Sequence, residues 1–201
     1  MEKLIGDLLI FLATIDPIGT LALFVGLTGD IPAADRSRLA LRSVGISAAV
    51  LVTFIVIGQI VLVGLGIRLE SFQFAGGIIF FLFGLQMVFG SGSLAGTPAS
   101  DDHHDVAVFP LAVPSIASPG AILACVVLTD NNEFSLLEQS LTCGVLLAVL
   151  VGTLLVLLQA DRVFRLIGKS GCALLVRVLG LVLASLAVEM TVEAGEKLLA
   201  K

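Results

Sequence analysis

Thr14-Ile15-Asp16-Pro17-Ile18-Gly19-Thr20 interrupts an apolar run that extends over 4–29, and Ser115-Ile116-Ala117-Ser118-Pro119-Gly120-Ala121 interrupts a second over 106–129. Each run is long enough to cross a bilayer, which takes about 20 apolar residues of helix. Near the centre of each stands a proline, which donates no backbone hydrogen bond, followed within two residues by a glycine. A helix broken in lipid frees N–H and C=O groups. Such backbone is tolerated at membrane depth only where protein covers it or water reaches it. Paired breaks at corresponding positions of two halves point to a transport site near the midplane.

The rest of the chain fits that setting. It is 58% hydrophobic and 13% charged, with a mean hydropathy of +1.13, against roughly 25% charged residues in soluble domains. Period-2 alternation is absent, so the expected fold is an all-α integral membrane protein and not a barrel. Six spans are expected, at 4–29, 40–66, 72–90, 106–129, 140–160 and 173–195. The stretch Met1-Glu2-Lys3-Leu4 lacks a strongly cationic n-region and no A-x-A site follows, so the first run reads as a retained span and not a cleaved signal.

The spans divide into two inverted three-helix repeats with helices 1 and 4 broken at Pro/Gly. Residues 1–90 form the first, 91–105 a linker rich in Gly, Ser, Ala and Asp, and 106–201 the second, all within one membrane domain. Gly45 pairs with Gly144, Gln59 with Gln159, Pro17 with Pro119, and Gly77 to Met87 with Gly180 to Met190, at offsets of 99 to 103 residues. With three spans per half, the second half must insert upside down, a plan common among secondary transporters. Arg36, Arg38, Arg42, Arg162, Arg165, Lys169 and Arg177 fall on one side of the membrane, and Lys3, Arg68, Lys197 and Lys201 on the other. Seven against four places both termini outside the cytoplasm, in the plasma (inner) membrane.

Asp16 lies near the centre of a span, where a carboxylate costs about 3 kcal/mol on insertion scales. It reads either as a ligand for a coupling cation, proton or substrate ammonium, or as the cap of a half-helix beginning at Pro17. Ser118-Pro119-Gly120-Ala121 repeats the arrangement without the charge. There the half-helix N-terminus offers N–H donors to an anionic group, or is a kink with small residues for tight packing. A zwitterion would find one partner at each break. Asp16, Pro17, Gly19, Thr20, Ser118, Pro119, Gly120 and Ala121 are therefore the candidate substrate-binding residues, with Asp16 and Glu189 as candidates for ion or proton coupling. Glu189 also reads as an interfacial glutamate, and Gln86, its counterpart, as an interhelical hydrogen-bonder rather than a ligand.

Other chemistry finds little support. Asp101-Asp102-His103-His104-Asp105 lacks the spacing of an ordered metal site, and no metal or cofactor is expected. Both histidines fall in the linker, which removes a membrane-embedded Ser–His dyad, and no G-x-x-x-x-G-K-[ST] phosphate loop is present. The chain is expected not to be an enzyme. Cys125, Cys143 and Cys172 read as small packing residues. The net charge of −5, without a basic stripe, gives no sign of nucleic acid. The expected partners are a small-molecule solute and the lipid bilayer, with a homo-oligomer left open.

Asp16-Pro17-Ile18-Gly19 followed by Leu21 to Thr28, Phe109 to Ala121, and Arg165 to Gly171 with Arg177 to Gly180 and Ala187 to Glu189 resemble the signatures of the MarC family of inner-membrane proteins. The family carries Asn or Asp at the position of Asp16 and usually Gly at that of Ser118. The resemblance implies a multi-pass membrane protein named after a multiple-antibiotic-resistance locus, and kinship with archaeal carriers of small neutral amino acids such as glycine and alanine. The resulting expectation is a secondary transporter of small neutral amino acids or similar solutes by alternating access. Its alternatives are an exporter of metabolites or drugs on the same fold, and a non-transporting membrane scaffold or regulatory protein.

Overall fold

The computed structural model describes residues 2–29, 31–89 and 107–200, without the side chains of Ala33, Ala34, Phe164, Lys169 and Cys172. The linker 91–105, with its Asp101 to Asp105 stretch, lies outside the described residues. The described chain is helical throughout: α1 (Glu2–Ile15), α2 (Pro17–Leu27), α3 (Ala33–Gly64), α4 (Leu69–Phe89), α5 (Ala107–Ile116, a wide π-type segment), α6 (Pro119–Leu128), α7 (Leu136–Leu158) and α8 (Ala160–Leu199). Five stretches are long and apolar enough to cross a membrane: Glu2–Leu27, Asp35–Gly64, Leu69–Phe89, Leu136–Leu158 and Ala173–Leu199. The pair α5 and α6, bent by 51°, makes a sixth if it counts as one span.

Local chemistry sets the boundaries. Ser135 and Glu138 close a capping box at the start of α7, each side chain taking the other's backbone N–H. In α5, Phe109 and Val113 are extended (φ −128° and −131°) because each precedes a proline whose ring excludes the helical conformation. Inside α8 the chain turns at Gly168, whose φ of 69° suits a residue without Cβ and separates a short basic segment from the last span.

Contacts between distant residues order the ends of the helices. Lys3 Nζ reaches the Leu128 carbonyl at 3.4 Å, Gln59 bonds to Asp130, and Lys197 Nζ pairs with Glu133 at 3.1 Å. The start of α1, the ends of α3, α6 and α8, and the 130–135 loop therefore share one face, called the Lys3 face below. At the other end Arg36 pairs with Asp161 at 2.9 Å, which joins the starts of α3 and α8. Phe11, Ile15, Leu21, Phe24, Phe80, Leu111, Ile116, Leu146 and Leu150 fill the interior. Val56, Ile60, Val63, Leu82, Leu155 and Leu181 stand exposed on the outside, as expected where the solvent is hydrocarbon.

Candidate functional site

Asp16 holds the first break open. Its backbone is left-handed (φ 44°, ψ 74°), rare for a residue with a side chain, and it caps α2 with Pro17 next in line. In an unbroken helix, Thr14 O would accept from residue 18 and Ile15 O from residue 19. Here the Gly19 N–H goes to Asp16 Oδ1 at 2.9 Å, Ile15 O takes the Thr20 hydroxyl at 3.2 Å, and Thr14 O takes the Ser118 hydroxyl at 2.9 Å. Three of the groups the break releases are thus paired within the protein, as a low-dielectric setting favours.

The second break is built alike and bonds to the first. Ser118 caps α6 by accepting the Ala121 N–H at 3.0 Å, while its own hydroxyl donates to α1. Ala112 O, at the broad turn of α5, accepts from Ala117 N at 2.8 Å and from Ser47 Oγ at 3.2 Å. Thr20 Oγ1 and Ser115 Oγ lie 3.2 Å apart, a hydroxyl pair linking α2 to α5. The two breaks therefore touch each other.

A cavity of about 430 Å³ opens there, lined by Ile15, Asp16, Gly19, Thr20, Leu23, Ile79, Leu82, Phe83, Gln86, Pro110, Pro114, Ser115 and Pro119. Its walls are mostly apolar, and Asp16 is the one charged side chain among its lining residues. Asp16 sits 13 residues from Lys3 and 12 from Thr28, which puts the cavity about 18–20 Å from either end of the first span.

Of the sequence-predicted binding residues, Asp16, Gly19, Thr20 and Pro119 line the cavity. Pro17, Ser118, Gly120 and Ala121 do not. Ser118 and Ala121 are fully buried, and a Cβ at Gly120 would come within 2.7 Å of the Phe80 ring. The Ala121 N–H, held by Ser118, is closed to a ligand. A Cβ at Gly19 would meet Asp16 Oδ2 at 2.0 Å, so the glycine is the floor on which the carboxylate lies. Glu189 stands apart, exposed on α8 and without a partner among the described residues. Gln86, expected to bond a neighbouring helix, makes no hydrogen bond among the described residues and instead lines the cavity together with Pro110 and Pro114 of α5.

Ser115 and Asp7 are not among the residues expected from the sequence at the site. Ser115 gains its place only from the crossing of α2 and α5. Asp7, almost fully buried, receives Lys3 Nζ at 2.8 Å and the Thr142 hydroxyl at 2.6 Å, and Lys3 also reaches Thr142 at 2.7 Å and the face of the Phe134 ring. The i,i+4 spacing of Lys3 and Asp7 was a visible signal; Thr142, 135 residues away, was not. This cluster ties α1 to α7 on the Lys3 face. Arg36, bonded to Asp161, Gly29 O and Ile31 O, ties α3 to α8 at the other end.

The model of the MarC family, described as integral membrane proteins, matches residues 1–199. A UPF0056 membrane protein of Methanocaldococcus jannaschii is 35% identical over 183 residues, 89% of this chain and 88% of the relative. The UPF0056 inner membrane protein YhgN of Escherichia coli is 31% identical over 192 residues, 94% of each chain. A UPF0056 membrane protein of Pyrococcus abyssi is 28% identical over 184 residues, 90% of this chain and 88% of its own. No solved structure matches.

Proposed function

Because the chain belongs to the MarC family of integral membrane proteins, we propose that it is a six-span secondary transporter of the plasma membrane that moves small neutral amino acids or similar small solutes by alternating access. The observation that carries this reading is the cavity: a polar spot of Asp16, Thr20, Ser115 and Gln86 in an apolar setting, midway through the molecule, where two broken spans cross. Ion-pair clusters tie the two halves together beyond it on either side, Lys3–Asp7–Thr142 at one end and Arg36–Asp161 at the other. Opening one while the other stays closed would admit solute from one face at a time.

The inverted repeat is supported by the contacts of the third helix of each half. A Cβ at Gly77 would meet Thr191 Oγ1 at 2.2 Å and Ala187 O at 3.0 Å; one at Gly180 would meet Gly84 O at 2.8 Å and Val88 N at 3.2 Å. Gly77 corresponds to Gly180 at an offset of 103, and at that offset 84 corresponds to 187 and 88 to 191. The contact set maps onto itself, as a two-fold axis between the halves requires. The caps support the same plan. Asp16 and Ser118 each accept the N–H three residues on, and Thr28 and Thr129 each bond back to the carbonyl four residues earlier.

In this site a substrate ammonium faces Asp16, and the opposite polar end faces the hydroxyls of Thr20 and Ser115 and the Gln86 amide. Pro17, Ser118, Gly120 and Ala121 shape the walls from behind. The volume supports a second reading, an exporter of larger metabolites or drugs, since about 430 Å³ falls within the ~300–1,000 Å³ range of pockets for drug-sized ligands. Counterflow of labelled glycine and alanine in proteoliposomes tests the proposal, comparing the wild type with Asp16→Asn and Gln86→Leu. Wild-type exchange that falls about tenfold or more in each variant is the expected outcome, roughly the loss of one charge-assisted or buried hydrogen bond. A folded wild-type protein that exchanges neither amino acid removes this substrate class and leaves the exporter and the scaffold.

A further inference from the structure

We propose that a basic cleft at the start of α8 holds the phosphate of an anionic phospholipid. The cleft, about 350 Å³, lies at the end of the molecule opposite the Lys3 face and is distinct from the central cavity. Arg36 and Ser37 of α3, the end of α7 at Leu157 and Leu158, and Asp161, Arg162 and Arg165 of α8 contribute to its walls, with Phe24 of α2 beneath. Three guanidinium groups face one carboxylate, so the cleft carries a surplus of two positive charges.

The arginines have different roles. Arg36 is fixed: its Nε donates to Ile31 O, one Nη to Gly29 O and the other to Asp161 Oδ1. Arg165 is steadied through Nε by the Asp161 carbonyl at 2.9 Å, which leaves its two Nη groups for a ligand. Arg162 has no partner among the described residues. The Asp161 carboxylate is spent on Arg36 and lies mostly in the open. Two forked donors, one already oriented, at the edge of a cavity match the geometry of a phosphate, whose oxygens accept paired N–H bonds.

The surroundings favour a lipid over a free anion. The cleft lies where α7 leaves the membrane, next to the half-exposed Leu158, and about two turns further Leu166 is 88% exposed beside Arg165. A headgroup in the cleft would place its acyl chains along this apolar surface, and basic pockets between spans hold anionic headgroups in this way. The break at Gly168 frees the 160–167 segment from the line of the last span, so that it can lie along the interface.

The experiment is native mass spectrometry of the full-length, delipidated protein after exposure to phosphatidylglycerol or phosphatidylcholine. Three forms are compared: wild type, Arg162→Gln/Arg165→Gln, and Arg177→Gln, which removes an exposed charge of α8 outside the cleft. The expected result is roughly tenfold stronger retention of phosphatidylglycerol by wild type and Arg177→Gln, lost in the double variant, which removes two of the cleft's three cations. Equal retention by all three overturns the proposal. So does displacement of the lipid by millimolar inorganic phosphate, which would make the cleft a site for free anions. Arg165→Gln alone, expected to lose part of the preference, keeps the test open if the double variant does not fold.

Discussion

At the scale of single residues, the two buried aspartates of the first span are stabilised in unlike ways. Asp16 has no cation and relies on the Gly19 N–H and its place at a helix start, where partial positive charge gathers. Asp7 has a cation, Lys3, and a hydroxyl, Thr142. Removing Lys3 alone strands a carboxylate that is 2% exposed, and breaking a buried pair from one side costs about 3–5 kcal/mol. Lys3→Met is therefore expected to destabilise the protein by about 3 kcal/mol, and Lys3→Met/Asp7→Leu by clearly less, because the double change leaves no orphaned charge. Denaturant unfolding in detergent measures both; a Lys3→Met cost below about 1 kcal/mol would show that water already reaches Asp7. The cap role of Asp16 was legible in the sequence because caps are local, set by a residue and its next three neighbours. The place of Asp7 was not, because Thr142 is supplied by a helix far along the chain.

At the scale of elements, α4 and α8 form the closest helix pair, and glycine sets how close. A Cβ at Gly84 would fall 2.7 Å from Gly180 O and 2.8 Å from Ala184 N, so the obstruction is backbone that cannot rotate aside. Gly84→Ala is expected to push the helices apart at a cost of about 1–3 kcal/mol, the range for overpacking a tight contact. Gly144, inside α7 with nothing within 4 Å of its added Cβ, provides the contrast: Gly144→Ala is expected to be neutral or to stabilise by up to about 1 kcal/mol through helix propensity. Thermal unfolding of the two variants side by side checks the pair, and equal costs would rule out close α4–α8 packing as the source. Small residues recur in most membrane helices, so their presence on α4 and α8 does not by itself point to this contact. What they could not reveal is the antiparallel register, which depends on both helices at once. The same limit hid Gln86. Its side of α4 shares the cavity with Pro110 and Pro114 of α5, a segment made irregular because these prolines force the residues before them out of helical geometry.

At the scale of the molecule, the order of faces decides how the protein sits in the bilayer. Lys3, Asp130, Glu133 and Lys197 share one face, and Arg36, Asp161 and Arg162 the other. The chain starts from the Lys3 face at residue 3 and is back there at Gln59, at Leu128 and at Lys197, and α5 and α6, bent by 51°, count as a sixth crossing if they form one span. The breaks in the first and fourth spans were readable because Pro and Gly act on their immediate neighbours. That the two breaks meet is a property of the assembled bundle. The face of Arg36 and Arg162 holds the larger share of Lys and Arg, seven of eleven in the whole sequence, and such an excess marks the cytoplasmic side. Single cysteines at Glu133 and Arg162, placed in a variant with Cys125, Cys143 and Cys172 replaced, test this with a membrane-impermeant maleimide. In intact cells the cysteine at 133 is expected to label and the one at 162 only after the membrane is opened. The reverse pattern would overturn this assignment of faces, either by inverting the whole bundle or by showing that α5 and α6 turn back without crossing. Labelling of both from outside would mean that α7, the one span between them, does not cross, and would remove the six-span plan on which the alternating-access reading depends.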